Sequence, residues 1–420
     1  MSPTTHNRRG RNPSSLLTTL VLLNLVPTAL SYTTNPYFAK NANPKPRPVR
    51  PGPPVKRDGT VPLKISNYCE QTIWPGIGTQ AGTGAGTGGF ELASGDVKEL
   101  TVSADWQGRI WGRTNCTFNE LGTGASNLNG NNGAGAACTT GDCGGVLSCV
   151  LTGETPVTLA EFDLAGGVNG DQVFYDISLV DGYNIPLGVV YIPGDNPKLQ
   201  DIPPNLTNCA CIATAGWLAE PADSGLSGNA TNSTFPLPYE GKQTNTQIAD
   251  WCPWDLQKQQ PTKPGDGIYP YPDDNIQRPI FDPCLSACSK TNSPEDCCTG
   301  KYNDPKVCKP NLYATSAKAV CPDAYSYAFD DQTSTFIIPS GGGWEVSFCP
   351  PGRSTNILAT FHDQLQALSQ QGKMSKAILA DCMNITIIEQ AATGAADENR
   401  VDRSLSLGAL VMVVAWAVLW

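Results

Sequence analysis

Three cysteines stand close together in Cys138-Thr-Thr-Gly-Asp-Cys143-Gly-Gly-Val-Leu-Ser-Cys149, with glycine on either side of the middle one. Such a stretch disfavours a helix and suits tight turns closed by disulfides. The whole chain has sixteen cysteines, an even count that allows complete pairing, so an oxidising, secretory compartment is expected. Strand-like runs follow. Val157-Thr-Leu-Ala-Glu-Phe162 and Val173-Phe-Tyr-Asp-Ile-Ser-Leu-Val180 are rich in β-branched and aromatic residues, and carboxylates interrupt them. Glu161, Asp176 and Asp181 are thus placed on or beside strands.

Both ends read as processing signals. A basic stretch, His6 to Arg11, precedes an apolar run, Leu16 to Leu30, that is too short and too broken by Asn24 and Pro27 to span a bilayer comfortably. Residues 1–31 are therefore expected to be a signal peptide. Residues 32–57 form a Pro-rich pro-segment ending in the dibasic pair Lys56-Arg57, where a cut would start the mature chain at Asp58. Near the C-terminus, the small residues Thr393-Gly-Ala-Ala396, a polar spacer and the apolar tail Leu407 to Trp420 match a glycosylphosphatidylinositol (GPI) signal. Attachment is expected at Gly394, with 395–420 removed. Sequons at Asn205, Asn229, Asn232 and Asn384 fit this route, and a fifth at Asn115, just before Cys116, is the poorest acceptor. A net charge of −10 argues against nucleic acid as a partner.

Between these ends, Leu63-Lys-Ile-Ser, Gln71-Thr-Ile-Trp, Val97 to Val102 and Gly108-Arg-Ile-Trp are short strands separated by turn residues, the spacing of a β-sandwich. Gly82 to Gly89 contains a nominal GxGxxG, but no helix follows it, so it reads as a flexible surface loop. Gly122 to Ala137 is a second soft insert. From Pro203 to Pro310 the strand pattern gives way to Pro, Cys and Asn, a loop-rich, disulfide-dependent lobe. Its Trp251, Trp254, Tyr269 and Tyr271 suit packing under long loops better than a sugar-binding rim. Cys288, Cys297 and Cys298 lie far from any histidine and suit disulfides rather than zinc. Ser334 to Ile338 and Trp344 to Phe348 return to strand, and Ser354 to Gln370 places Ile357, Phe361, Leu365 and Leu368 at helical spacing with Ser354 as cap.

Cys138 to Cys149, Leu159-Ala-Glu-Phe162 and Asp176-Ile-Ser-Leu-Val-Asp-Gly-Tyr-Asn-Ile-Pro186 resemble signature blocks of the thaumatin-like (osmotin-like) family. So do Ile110-Trp-Gly-Arg-Thr-Asn-Cys116, Cys321-Pro-Asp-Ala-Tyr-Ser-Tyr327 with Asp330-Asp331, and Val346-Ser-Phe-Cys-Pro350. The resemblance implies an all-β, thaumatin-like β-sandwich over 58–350 that includes the disulfide-rich lobe at 203–310; beyond it, the helical spacing reads as an appended helical extension at 351–394. It implies bridges Cys69–Cys349 and Cys116–Cys138 and disulfide roles for Cys143 and Cys149. Ile338 stands where the family has a cysteine, which leaves Cys209 without its usual partner. Cys382, outside the family pattern, is expected to pair with it.

With His362 the one histidine of the body, a histidine-based nucleophile or metal site is not expected, and no cofactor is implied. The resemblance instead carries an arginine and four acids lining a cleft, mapped onto Arg113, Glu161, Asp176, Asp181 and Asp331. Such a cleft suits a neutral polysaccharide, because carboxylates accept hydrogen bonds from several hydroxyls and an arginine can orient the acids. Hydrolysis requires one protonated and one ionised carboxyl. Glu161 and Asp176 are the candidates, with Glu161 as the acid. The expectation is a fungal-type, GPI-anchored cell-surface or wall protein that binds β-1,3-glucan in an acidic cleft, with hydrolysis as an endo-β-1,3-glucanase left open. The alternatives are a non-catalytic glucan-binding or structural wall protein and a membrane-permeabilising defence protein.

Overall fold

Along β1 (Thr60–Asn67), Leu63 and Ile65 are buried while Lys64 between them turns partly to solvent, the period-two pattern of a strand with one face on a core. The computed structural model describes residues 59–371 apart from 125–134, 151, 168, 195, 198, 200–201, 216–247, 249–250, 260–279 and 351, all within the unit Asn43–Trp420. The expected signal peptide, pro-segment and GPI signal, with Gly394, Asn229, Asn232, Asn384 and Cys382, lie outside the described residues. Asn205 lies in a single 3-10 turn, Pro204–Leu206.

The further strands are β2 (Ile73–Ala81), β3 (Val97–Ser103), β4 (Gln107–Thr114), β5 (Leu159–Gly166), β6 (Gln172–Ser178), β7 (Leu187–Ile192), β8 (Cys209–Cys211), β9 (Phe336–Pro339) and β10 (Gly343–Phe348). They form two five-stranded sheets, β3-β1-β10-β7-β8 and β2-β4-β5-β6-β9. The early and late strands meet: β1 runs parallel to β10 with Leu63 opposite Trp344, and Cys69–Cys349 closes the pair just beyond. Between the sheets, Tyr175 of β6 packs on Trp344 with ring centroids 4.5 Å apart, and its hydroxyl donates to Thr207 O at 2.6 Å. The all-β sandwich is thus present. β7 and β8 carry little sequence signal, because Gly188 dilutes one strand pattern and the other is three residues long inside the lobe.

Seven disulfides are formed among the described residues. Cys69–Cys349 and Cys116–Cys138 appear as expected, Cys143 pairs with Cys149, and Cys211–Cys321, Cys252–Cys284, Cys288–Cys297 and Cys298–Cys308 hold the lobe. The last two consume the thiols that a zinc site would need. Cys209 is a free, fully buried thiol, so the expected Cys209–Cys382 bridge is not formed among the described residues. Burial first, then the charges of Asp323 and Asp176, push this thiol well up, which keeps it unreactive. Trp251 donates to Ala213 O at 3.0 Å and stacks edge-on against Tyr183, a packing role.

The Gly82 to Gly89 loop departs from its expected looseness. Ile77 N and Cys149 N both donate to Gly88 O, at 2.9 and 3.1 Å, and Gly89 bridges to Gly76. A Cβ at Gly89 would collide with the Arg113 guanidinium, so glycine here permits a close backbone approach.

Short helices α1 (Ala287–Thr291) and α2 (Leu312–Val320) lie in the second half of the chain; α3 (Ile357–Thr360) and α4 (His362–Gln371) follow β10. The helix expected over Ser354 to Gln370 is therefore broken at Phe361. Its start is held from outside: Ile357 N and Leu358 N donate to the two oxygens of Asp323 at 2.8 and 2.9 Å, whereas Ser354 Oγ accepts from Ile212 N. Ile357, Phe361, Leu365 and Leu368 are buried, as an apolar stripe packing on the body requires. Thr355 and Ala210 exchange hydrogen bonds at 3.0 Å along β8, while α4 packs on β9 and Gln172 donates to Ser369 O at 2.7 Å. Since β8 and β9 are edge strands, the extension covers one open edge of each sheet.

Candidate functional site

Strand alternation puts Gln107, Arg109, Trp111 and Arg113 on one face of β4, with Ile110 on the other face in the main core. That first face looks away from the partner sheet, and its two ends differ. At one end the loop 138–157 closes over it: Trp111, Cys149, Val157 and Leu159 form a separate apolar cluster, and Trp111 donates to Gly141 O at 2.9 Å.

Arg113 belongs to this covered end and is fully buried. Its guanidinium donates to four backbone carbonyls: Trp74 O (2.9 Å), Pro75 O (3.1 Å), Val146 O (2.9 Å) and Leu147 O (2.7 Å). Burial lowers it to about 10, opposed by the charge of Asp142, so it remains a cation at neutral pH. Asp142 is itself buried and accepts from Ala137 N, Cys138 N and Gly145 N. Arg113 and Asp142 therefore hold the disulfide loop, and the expected orienting of the acids by Arg113 is not what its hydrogen bonds do.

At the other end the register forms a polar row. Arg109 of β4 stands opposite Glu161 of β5, and Glu161 stands opposite Asp176 of β6. Arg109 Nη2 lies 3.6 Å from Glu161 Oε1, with one quarter of the arginine side chain exposed. Directly opposed residues have Cβ atoms about 4.5–5.5 Å apart, so the two candidate carboxylates are neighbours. Phe174, two residues before Asp176, shares its face, is half-buried and lies against Gly166. Next to it Gln107 donates to Asp163 at 2.8 Å.

Asp331 reaches this row through Tyr325, whose hydroxyl donates to Asp331 Oδ1 at 2.8 Å and also contacts Thr335 Oγ1. Burial first, then the charges of Asp176 and Asp331, push that hydroxyl up, so it stays protonated. The segment carrying Asp331 is held by Lys318 of α2, which bonds Ala324 O, Thr333 O and Ser334 Oγ and pairs with Asp330 at 3.1 Å. Burial lowers Lys318, and Asp330 opposes that shift. Asp181 lies in the turn after β6, where its carbonyl accepts from Val157 N and its charge acts on the buried Tyr313.

The structure thus sets Glu161 opposite Asp176, places Asp331 on Tyr325, which also feels the charge of Asp176, leaves Asp181 in the turn beyond that strand, and pairs Glu161 with Arg109 rather than Arg113. Period two places both arginines on one face, so only strand register and loop cover could separate them. Tyr325 and Lys318 were likewise invisible, since each acts through a contact distant in sequence. Among the described residues no three His, Cys, Asp or Glu side chains form a metal-binding group. The carboxylates can accept hydrogen bonds, and the opposed pair can also exchange a proton with a bound group.

Comparison with known proteins agrees with this architecture. Residues 67–350 match the model of the Thaumatin family. A pathogenesis-related thaumatin-like protein 3.5 of Cryptomeria japonica is 36% identical over 298 residues, covering 70% of this chain and 92% of that protein. Pathogenesis-related protein 5 of Arabidopsis thaliana is 36% identical over 286 residues, covering 68% and 89%. A Prunus avium protein named glucan endo-1,3-beta-glucosidase is 31% identical over 291 residues, covering 69% and 90%. With its two sheets, the seven bridges among its described residues and a match running from the end of β1 to just past β10, the chain belongs to the thaumatin family.

Proposed function

We propose that the row Arg109–Glu161–Asp176, with Asp331 beside it, is a binding surface for β-1,3-glucan. The observation that carries this reading is the cross-strand register that lines these groups up on one face, next to the half-buried ring of Phe174. Carboxylates accept hydrogen bonds from sugar hydroxyls, and an aromatic ring offers an apolar surface to a pyranose face. The name of the Prunus avium relative supports the same substrate class.

Hydrolysis is the second reading, and the direct opposition of Glu161 and Asp176 favours it. Neighbouring carboxyls suit the closer spacing of retaining glycosidases, about 5–5.5 Å, rather than the wider inverting one. The ion pair with Arg109 suits Glu161 to the ionised role, which leaves Asp176 as proton donor, the reverse of the sequence expectation. The test incubates the secreted protein with linear β-1,3-glucan, wild type beside Glu161→Gln and Asp176→Asn, following reducing ends and pull-down together. Reducing ends lost in both variants support the glycosidase; retention without release makes the protein a wall-glucan receptor; neither retention nor release sinks both readings.

The reading includes a secreted protein of the fungal, GPI-anchored type, resting on the sequence patterns at the two ends. Mass spectrometry of the mature form tests it. A chain that keeps Pro46 defeats the dibasic cut, and one that keeps Trp416 defeats the anchor.

A further inference from the structure

Tyr325 is a nearly buried phenol at the junction between the second sheet and the segment carrying Asp331. Its backbone is joined to β6: Tyr325 N donates to Ile177 O at 2.9 Å, Leu179 N donates to Tyr325 O at 2.8 Å, and Tyr325 bridges in parallel to Ser178. The residue that reaches Asp331 is therefore tied to the strand that carries Asp176. A phenol has one proton and an ionised carboxylate has none to give, so with Asp331 ionised Tyr325 Oη donates to Asp331 Oδ1 and accepts from Thr335 Oγ1. The Lys318 contacts hold Ala324 O, Thr333 O, Ser334 Oγ and Asp330 of this segment, whereas Tyr325 bonds the Asp331 side chain.

We propose that Tyr325 is a positioning residue of the acidic site, its donated hydroxyl setting where the Asp331 carboxylate stands relative to Glu161 and Asp176. This inference rests on the glucan-binding reading for its consequence, but not for its geometry. The charged and titratable groups that face Tyr325 and the Asp331 segment include Asp176 from β6, Asp330 and Tyr327 from the segment itself, and Lys318 from α2 through Asp330.

The test uses the secreted protein as wild type, Tyr325→Phe, Asp331→Asn and the double variant, with linear β-1,3-glucan as probe. Loss of a hydrogen bond to a charged group is expected to weaken retention by about tenfold or more in Tyr325→Phe. Because Tyr325 acts through Asp331, the double variant should bind no worse than Asp331→Asn alone; penalties that multiply would overturn the proposal. A second readout needs no glucan: the ¹³C-carboxyl titration midpoint of Asp331 should rise by about one pH unit in Tyr325→Phe, and an unmoved midpoint also overturns it. If wild type retains no glucan while the midpoint moves, the functional reading fails and the positioning role stands. Thr335→Val, which keeps the phenol, should move the midpoint in the same direction by less, and serves if Tyr325→Phe does not fold.

Discussion

Arg109 and Arg113 stand four residues apart on one face of one strand, yet one is paired with a candidate catalytic acid and the other is sealed beneath a loop. The difference comes from what lies above them. The loop 138–157, closed by Cys143–Cys149, brings the carbonyls of Val146 and Leu147 onto the Arg113 end and leaves the Arg109 end to face the acids. A single outward face thus forms a second small core at one end and an open polar row at the other. An arginine in this fold acquires its role from its cover.

The comparison is broken most directly at its covered end. Arg113→Ala should cost about 3–5 kcal/mol of stability, because four buried carbonyls and Asp142 lose their cation together, as read by chemical denaturation. Arg113→Lys should recover little, since an ammonium cannot reach all four carbonyls. If instead Arg113→Ala folds with wild-type stability and loses only glucan retention, the two ends have been assigned the wrong way round. Asp142→Ala should follow at about 2–3 kcal/mol, with faster proteolysis between Cys138 and Cys149, because three backbone donors are left without an acceptor.

At the open end stability should barely respond. Arg109→Gln is expected to cost under about 1 kcal/mol, as partly exposed ion pairs do, while weakening glucan retention; a loss comparable to that of Arg113→Ala would show that this end too is structural. The smallest effect concerns Glu154, which burial first and the charge of Asp142 second raise above its ordinary value, with Lys258 opposing. A raised carboxyl binds its proton more tightly when folded, so stability from this group falls as pH rises from about 4.5 through the folded value. Glu154→Gln should therefore melt slightly above wild type at pH 7 and coincide with it near pH 4. A gap that widens towards pH 4 reverses the sign and would point to a favourable ion pair instead.

Much of the fold was legible because its signals are local. Strands β1, β4, β5, β6 and β10 announce themselves by β-branched and aromatic runs, and the apolar stripe Ile357, Phe361, Leu365 and Leu368 identifies a helical face. Where local signals conflict with distant contacts, the reading slipped. Ser354 resembles a helix cap, but the cap is Asp323, and Ser354 bonds β8's neighbour Ile212 instead. Gly82 to Gly89 resembles a loose loop, but its far end is pinned because Gly88 and Gly89 allow backbone and guanidinium to approach.

In the candidate site, the chain on its own determined the acids. Glu161, Asp176 and Asp331 interrupt strand-like or signature runs, and side-chain alternation is a property of the backbone that needs no partner. The tertiary structure alone decided which of them meet, and through what: Glu161 faces Arg109 and Asp176 by register, and Asp331 joins them through Tyr325. The physical reason is range. Propensity and alternation act over a few residues, whereas register, loop cover and the burial of a charge depend on segments tens to hundreds of residues apart.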